Sequence, residues 1–458
     1  MTKSLQDTTE TQKNDPTDVS FTVQAPSPGL LIAHAPPDAV STDRCILPRR
    51  LVCGRSADCD LPVFDSRISG RHFCIRTQDG DRFLDDLGST NGTFVNGAPL
   101  LSPFKLTDTA VIRCGETVLV YRPDIAPQLR PASAERRGFA GRFHAGPLLF
   151  ALKEASLSAH HILIAGPSGT GKELAARALA HLTTPQGTNP RFWVYNAAKF
   201  ASREEAAATL FGVSARVFSN VDARAGFIEQ ADGGTLFLDE LHNLPTESQR
   251  ALLRVIEDGE VTRLGETKGR RVHVRFVIAS NAPGDTHGLA PDLFARLRLV
   301  RLPSLNERIA DVPSIFTALL GEALSRRNIP PETVVPLLSG DHFESLCLEN
   351  YEQGNVRLLR DLADRLVTRL TMEHEPLRAV ADVFGERFQG GPVVRRTLGS
   401  QKEAPTSRYL RHKTLIIDTF RACNANTAAT ERALKEKGFS CSRRWLSIFL
   451  EDWGEKNR

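Results

Sequence analysis

With 458 residues, 41% of them hydrophobic and 24% charged, the chain is long enough for two to four domains, each burying its own core. No run of about 18 apolar residues is present to cross a bilayer, and the polar first twenty residues contain no apolar signal core, so neither a membrane-spanning nor a secreted protein is expected. The net charge of +4 is unevenly spread: from Arg395 onward 14 Lys and Arg face seven acids, a tail of +7 on a body of −3. Such a basic end suggests a polyanionic partner there, although a merely solvated basic surface has the same charge. The eight cysteines form no CxxC pair and read as reduced thiols of a cytoplasmic protein.

Taken in chain order, residues 1–27 are polar and expected to be a disordered tail. Short strand-like runs ("RFLDDL", "TAVIRC", "TVLVYR") separated by Gly, Asp and Asn turns predict a small β-sandwich over 28–125. A Pro- and charge-rich linker covers 126–138. Over 139–308, strand-like runs ("HILIAG", "GTLFLD", "RFVIAS") alternate with helical patterns, the signature of a parallel α/β sheet. Residues 309–385 read as a helical lid, 386–409 as a second linker and 410–458 as a final helical module.

"HILIAGPSGTGKELAARALA" is an apolar strand, a glycine-rich loop and a helix, and it fits GxxxxGK from Gly166 to Lys172. Gly166, Gly169 and Gly171 let the backbone wrap phosphates, while N–H groups, the helix dipole and Lys172 meet their charge. Glu173 stands where this motif usually has a Mg²⁺-binding hydroxyl. "GGTLFLDE" is an apolar strand ending in Asp239 and Glu240; the first acid can hold Mg²⁺ and the second can polarise an attacking water. ATP hydrolysis with ATP and Mg²⁺ as cofactors is the reading of this pair of motifs.

Six segments in order, "GPSGTGKELAARAL", "ADGGTLFLDELHNLP", "QRALLRVIEDGEVTRLGE", "FVIASN", "DLFARLRLVRLPSLNERIADVP" and "GNVRLLRDL", resemble the central AAA+ domain of sigma-54-dependent transcription activators over about 139–370. Glu after the loop lysine is usual there, which accounts for Glu173. The resemblance implies that Asn196 restrains the catalytic Glu, that Ser280 and Asn281 form sensor I, and that Arg357 is the sensor II contact to nucleotide. It also implies that Arg296 is an arginine finger lent to a neighbouring subunit, so the partners include further copies of the chain, a hexamer when active and a dimer when inactive. Ala290 replaces a second arginine common in the family, and Arg298 lies nearby at a different spacing.

"LVCGRSADCDLPVFDSRISGRHFCIR" with "DLGSTNGTFVNG" resembles a forkhead-associated (FHA) domain. A phosphothreonine carries a charge near −2 and three acceptor oxygens, which suit Arg, Ser and Asn donors. By this resemblance Arg55 and Ser69 contact the phosphate, Asn91 holds the ligand backbone with Thr90 nearby, and His72 braces the loop. Gly70 occupies a site that is often Arg in that family, with Arg71 beside it. The resemblance implies a phosphothreonine protein from a Ser/Thr kinase pathway as partner, in place of the phospho-aspartate receiver common among sigma-54 activators.

"NTAATERALKEKG" and "SRRWLSIFLEDW" fit a helix-turn-helix of the Fis type, with Ser442, Arg443 and Arg444 opening the second helix for enhancer DNA. A helical dimerisation or packing element is the alternative. Sigma-54 activators also carry a loop with the signature GAFTGA; the aligned residues here run from Arg216 to Val221, keeping Phe218 and, in Ser219, the hydroxyl, while both glycines are lost. Phe218 reads as a contact to sigma-54, with a buried plug as the alternative. Two function classes remain: a sigma-54-dependent regulator that remodels the RNA polymerase closed complex, and an AAA+ remodeller or phosphopeptide-binding scaffold that does not engage sigma-54.

Overall fold

A computed structural model describes residues 26–129, 138–158, 160–185, 188–214, 223–372, 375–388, 413–423 and 426–436, together with Leu446 and Leu450. The expected tail over 1–27, the 386–409 linker, Phe218, Ser219, Ser442, Arg443 and Arg444 fall wholly or almost wholly outside these residues. Eleven described strands build the N-terminal sandwich. They are β1 (Gly29–His34), β2 (Arg44–Ile46), β3 (Arg50–Gly54), β4 (Leu61–Pro62), β5 (Phe73–Gln78), β6 (Asp81–Asp86), β7 (Thr93–Val95), β8 (Ala98–Pro99), β9 (Phe104–Lys105), β10 (Ala110–Cys114) and β11 (Thr117–Arg122). One sheet has the order β2-β1-β11-β10-β7-β8 and the other β4-β3-β5-β6-β9. The β5–β6 hairpin turns on Asp79 and Gly80, both at positive φ (53° and 86°), as a two-residue loop matching strand twist requires.

The first sheet is buried on both faces, and period-2 alternation decides which residue goes where. Leu30, Ile32, Ile112, Leu119 and Tyr121 point into the sandwich core. Their neighbours Leu31, Ala33, Val111, Val118 and Val120 join instead a core made with the helical lid, alongside Phe143, Phe316, Phe343 and Leu346. The end of the sandwich and the start of the expected linker belong to this seam too: Ile125 is fully buried, and Gln128 O accepts from Arg44 Nε at 2.6 Å.

An ion-pair cluster pins the seam. Arg113 on β10 donates to Glu344 Oε2 at 2.6 Å, pairs with Asp341 at 2.9 Å and lies over the Phe94 ring at 3.9 Å. Side-chain exposure is only 6% for Arg113 and 2% for Glu344, so this is a desolvated pair rather than a surface one. Burial pushes the Glu344 carboxyl up, with Arg113 pulling the other way. At the β10–β11 turn, Gly340 N donates to Glu116 Oε2 at 2.5 Å.

Two histidines at or near the seam make it sensitive to acid. The His34 ring stacks on Phe343 with centroids 3.8 Å apart, and burial, aided by Arg142, lowers its pKa to about 4. His342 is likewise lowered to about 4 by burial, against Asp341. Both folded values lie below the unfolded value of about 6.5. Their contribution to stability is therefore complete above that pH and declines as pH falls towards 4, by up to about 1.4 kcal/mol per pH unit for each ring. Thermal melts between pH 7.5 and 4.5 should show this loss, reduced in His34→Phe; a His34→Phe chain with undiminished pH dependence would sink the assignment.

The central domain has five parallel strands flanked by helices. In chain order it contains α1 (Ala145–Ser156), β12 (His161–Ala165), α2 (Lys172–Thr183), β13 (Phe192–Asn196), α3 (Arg203–Phe211), β14 (Gly212–Val213), β15 (Arg224–Ala225), α4 (Phe227–Gln230), β16 (Thr235–Asp239), α5 (Thr246–Asp258), β17 (Glu260–Val261), β18 (Arg270–Arg271), β19 (Arg275–Ser280), α6 (Pro291–Phe294) and β20 (Leu297–Arg301). The main sheet has the order β13-β16-β19-β12-β20, and β14–β15 and β17–β18 are short ribbons. Ile162, Ile164, Phe237 and Val277 pack on α1 and α2, while Leu163, Leu236, Leu238 and Ile278 pack on the opposite layer. That double burial is why these strands read as unbroken apolar runs.

The lid follows as α7 (Val312–Arg326), α8 (Gly340–Leu348), α9 (Val356–Met372) and α10 (Pro376–Arg387). Near the C-terminus are α11 (Lys413–Ala422) and α12 (Thr427–Glu436); Asn426 caps α12 by accepting from Ala428 N and Ala429 N at 3.0 and 3.1 Å.

Candidate functional site

The parallel register brings one group of side chains together at the carboxyl edge of the sheet, where open α/β folds bind ligands. β12 ends at Ala165, the glycine-rich loop follows, and α2 begins at Lys172. Asn196 and Asp239 are register partners at the ends of β13 and β16. Lys172 Nζ donates to Gly166 O at 2.9 Å and to Pro167 O at 3.1 Å, folded back onto its own loop. Burial lowers the pKa of this ammonium, opposed by the charges of Asp239 and Glu240 and reinforced by that of Arg357. Gly171 adopts φ +99°, and a Cβ there would meet nothing within 4 Å, so its face of the loop is open.

Glu240 lies in the left-handed region at φ 55°, ψ 38°. A non-glycine residue held there stores strain of about 1–3 kcal/mol, a pattern that clusters at functional sites. Its carboxylate is held by Asn281 Nδ2 at 3.1 Å and by His242 Nε2 at 3.4 Å. The expected restraint of Glu240 by Asn196 is not what the side chains do: Asn196 Nδ2 donates to Asp239 Oδ2 at 3.0 Å, because the register sets Asn196 beside Asp239. Asn281 holds Glu240 instead, from the end of β19.

The remaining nucleotide-site candidates divide. Arg357 Nη1 donates to Ser168 Oγ at 3.1 Å, on the loop itself. Ser280 is fully buried and braces the chain, donating to His287 O at 2.7 Å and accepting from Ala282 N at 3.1 Å. Glu173 forms an exposed i,i+4 pair with Arg177. Arg296 pairs with Glu257 at 2.9 Å on the surface, and Arg298 is exposed on β20. Ala290 caps α6, its N–H donating to Gln249 Oε1 at 2.8 Å. Sequence reasoning missed Arg308 and Asn355, both buried at the lid hinge and both bonded to the phosphate loop; their place within "NERIADVP" and "GNVR" was the signal available.

On the loops of the sandwich a second group gathers. Thr90 N donates to Ser69 Oγ at 3.0 Å, Ser69 Oγ lies 3.4 Å from Thr90 Oγ1, and Asn91 Nδ2 donates to Arg67 O at 2.7 Å. Arg55 N bonds Ser69 O at 2.9 Å and the residue is exposed beside them. Buried His72 accepts from Ser69 N on Nδ1 (3.0 Å), so its proton sits on Nε2, 3.3 Å from Gly92 O. Burial lowers the His72 pKa, keeping the ring neutral for both bonds. Asp86 anchors the Gly88–Thr93 turn through four hydrogen bonds. Burial would raise its pKa, but Ser89 and Thr93 outweigh that and hold it down. Arg67, absent from the expected set, forms an ion pair with Glu116, the residue that accepts from Gly340 of the lid.

The Sigma-54 interaction domain family matches residues 147–303, and the FHA domain family matches residues 51–115. The chain joins an FHA domain to a sigma-54 interaction domain. Its sigma-54 interaction domain is the AAA+ α/β unit, and its FHA domain is the β-sandwich. Among curated relatives, the DNA-binding transcriptional regulator NtrC of Bradyrhizobium sp. (strain RP501 Parasponia) is 39% identical over 216 residues, 45% of this chain and 42% of that protein. The Nif-specific regulatory protein of Azotobacter vinelandii is 37% identical over 211 residues, 44% of this chain and 39% of that one. Among solved structures, NtrX from Brucella abortus in complex with ATP is 28% identical, with 67% of each chain covered and a TM-score of 0.46. The chain spans about two fifths of the length of these two curated relatives. Among the described residues no helix is long and apolar enough to cross a membrane.

Proposed function

We propose that the chain is a sigma-54-dependent transcription regulator that hydrolyses ATP to remodel the RNA polymerase closed complex, under control of phosphothreonine binding by its FHA domain. The observation that supports ATP chemistry is the convergence of a glycine-rich loop, Lys172, Asp239 and a strained, doubly held Glu240 on one sheet edge. Phosphoryl transfer needs positioning and charge neutralisation more than covalent help. Lys172 exchanges its loop carbonyls for phosphate oxygens. Glu240, aimed by Asn281 and His242, accepts the proton of the attacking water. Asp239 is a hard oxygen donor suited to Mg²⁺, which would neutralise phosphate charge when bound. Arg296 serves a neighbouring copy in a ring, released from Glu257. Ser442, Arg443 and Arg444 of a Fis-type module hold enhancer DNA.

In the FHA domain, Arg55, Ser69, Thr90 and Asn91 take the phosphothreonine segment of a partner from a Ser/Thr kinase pathway. Arg67 and Glu116 lie between that loop and the lid, so bound phosphate and Glu116 compete for the Arg67 guanidinium. The test is ATP-dependent promoter opening with sigma-54 polymerase, with and without a phosphothreonine peptide. Promoter opening that needs ATP and changes with the peptide is expected; ATP turnover with no opening under either condition would favour a remodeller that does not act on sigma-54. Phe218→Ala should leave ATP turnover within about twofold, since the resemblance assigns Phe218 to the sigma-54 loop and not to nucleotide binding, and abolish opening. If opening survives, Phe218 is not the sigma-54 contact.

A further inference from the structure

The carbonyl side of the phosphate loop is held from outside the loop. Ser168 O accepts from Asn355 Nδ2 at 3.0 Å, Gly169 O from Val356 N at 3.1 Å, and Thr170 O from Arg308 Nη2 at 3.1 Å. Three consecutive peptide units are thus gripped by two segments of the lid hinge. A trans peptide is planar, with its C=O and N–H opposed. Fixing these three oxygens therefore turns the N–H groups of Gly169, Thr170 and Gly171 to the other side of the loop, the side left open at Gly171.

The grip is built tightly. A Cβ on Gly169 would lie 2.1 Å from Gly354 O, so this glycine makes room for the lid. Gly354 and Asn355 are both left-handed (φ 101° and 48°), a turn that lets the fully buried Asn355 reach two ways. Its Oδ1 accepts from Leu305 N at 2.8 Å while its Nδ2 reaches Ser168. Arg308 is 5% exposed and its Nε has no hydrogen-bond partner among the described residues. Burying a guanidinium with an unmet N–H is costly; the charges of Asp311 and Glu307 offset part of that cost, and Nη2 donates to Thr170 O of the phosphate loop.

We propose that Asn355 and Arg308 are positioning residues that fix the peptide planes of the phosphate loop, so that the chain grips a nucleoside di- or triphosphate only while the lid hinge is seated. This rests on the nucleotide reading of the site. It goes beyond that reading by making phosphate affinity, as distinct from base or ribose affinity, a property of the lid. The loop does not hold its anion-binding shape alone; the hinge imposes it.

The test is calorimetric titration of the full chain with ATP, ADP and adenosine. Asn355→Asp keeps the size and the acceptor for Leu305 but sets a carboxylate against Ser168 O. It should weaken ATP and ADP about 10- to 100-fold, the effect of unpairing one buried group, and change adenosine less than about twofold. Arg308→Lys, retaining one donor, should recover most of the affinity that Arg308→Met loses. Equal weakening of ATP and adenosine, or ATP binding unchanged in both Asn355→Asp and Arg308→Met, overturns the proposal. A wild-type chain that binds ATP no better than adenosine would instead show that the nucleotide reading itself is wrong. Melting curves of the Arg308 pair give a folded comparison if Asn355→Asp is unstable.

Discussion

Glu240→Gln is expected to lower ATP turnover by about 10²–10⁴-fold, the range for removing a general base, while leaving ATP binding nearly intact. The amide keeps the side chain's size and its acceptor for Asn281 Nδ2 at 3.1 Å, so the left-handed backbone and the cage around it persist. What disappears is the ability to take a proton. Lys172→Ala should behave differently: binding itself should fail, because Lys172 carries the only buried ammonium among the described residues. A phosphate-release assay beside ATP titration separates the two. If Glu240→Gln turns ATP over at wild-type rate, another group is the base.

Glu344→Ala should cost about 3–5 kcal/mol of stability, because it leaves Arg113 buried against Asp341 alone. The paired replacement Arg113→Met with Glu344→Met should cost less, since an apolar pair of similar volume removes both desolvation penalties and leaves the lost hydrogen bond from Gly97 N and the lost Asp341 pair as the remaining cost. Denaturant unfolding of the two variants measures the difference. A Glu344→Ala loss below about 1 kcal/mol, the scale of exposed pairs, would mean that the seam between FHA domain and lid opens freely in solution.

Much of this molecule was legible in the sequence, for definite reasons. The phosphate loop and the acid pair show because close backbone wrapping and strand-end carboxylates each demand particular residue types at fixed spacing. The FHA turn shows because Ser69, Asn91 and Gly92 are tied to their roles by short-range geometry. The contact between domains was not read, although its trace is present: "GLLIAH" and "TVLVYR" lack the alternation of a half-exposed strand. A sheet with a free outer face would have shown polar residues at Leu31, Val118 and Val120. Asn196 was assigned to Glu240 by resemblance, but its partner depends on strand register, which one sequence does not display. Asn355 and Arg308 act across separations of 187 and 138 residues, beyond the reach of any local pattern.

The shared core has a practical consequence for anyone cutting the chain. Removing the sandwich to obtain an unregulated ATPase would strip the cover from Phe143, Phe316, Phe343 and Leu346, all now buried against Leu31, Val118 and Val120. The truncated protein would present a fresh apolar face and would tend to aggregate. Loss of output in such a deletion would then report insolubility, and could be mistaken for evidence that the FHA domain is an activator. Point changes at Ser69 or Arg67 leave that face covered, and they separate the proposed phosphothreonine binding from the mere presence of the domain.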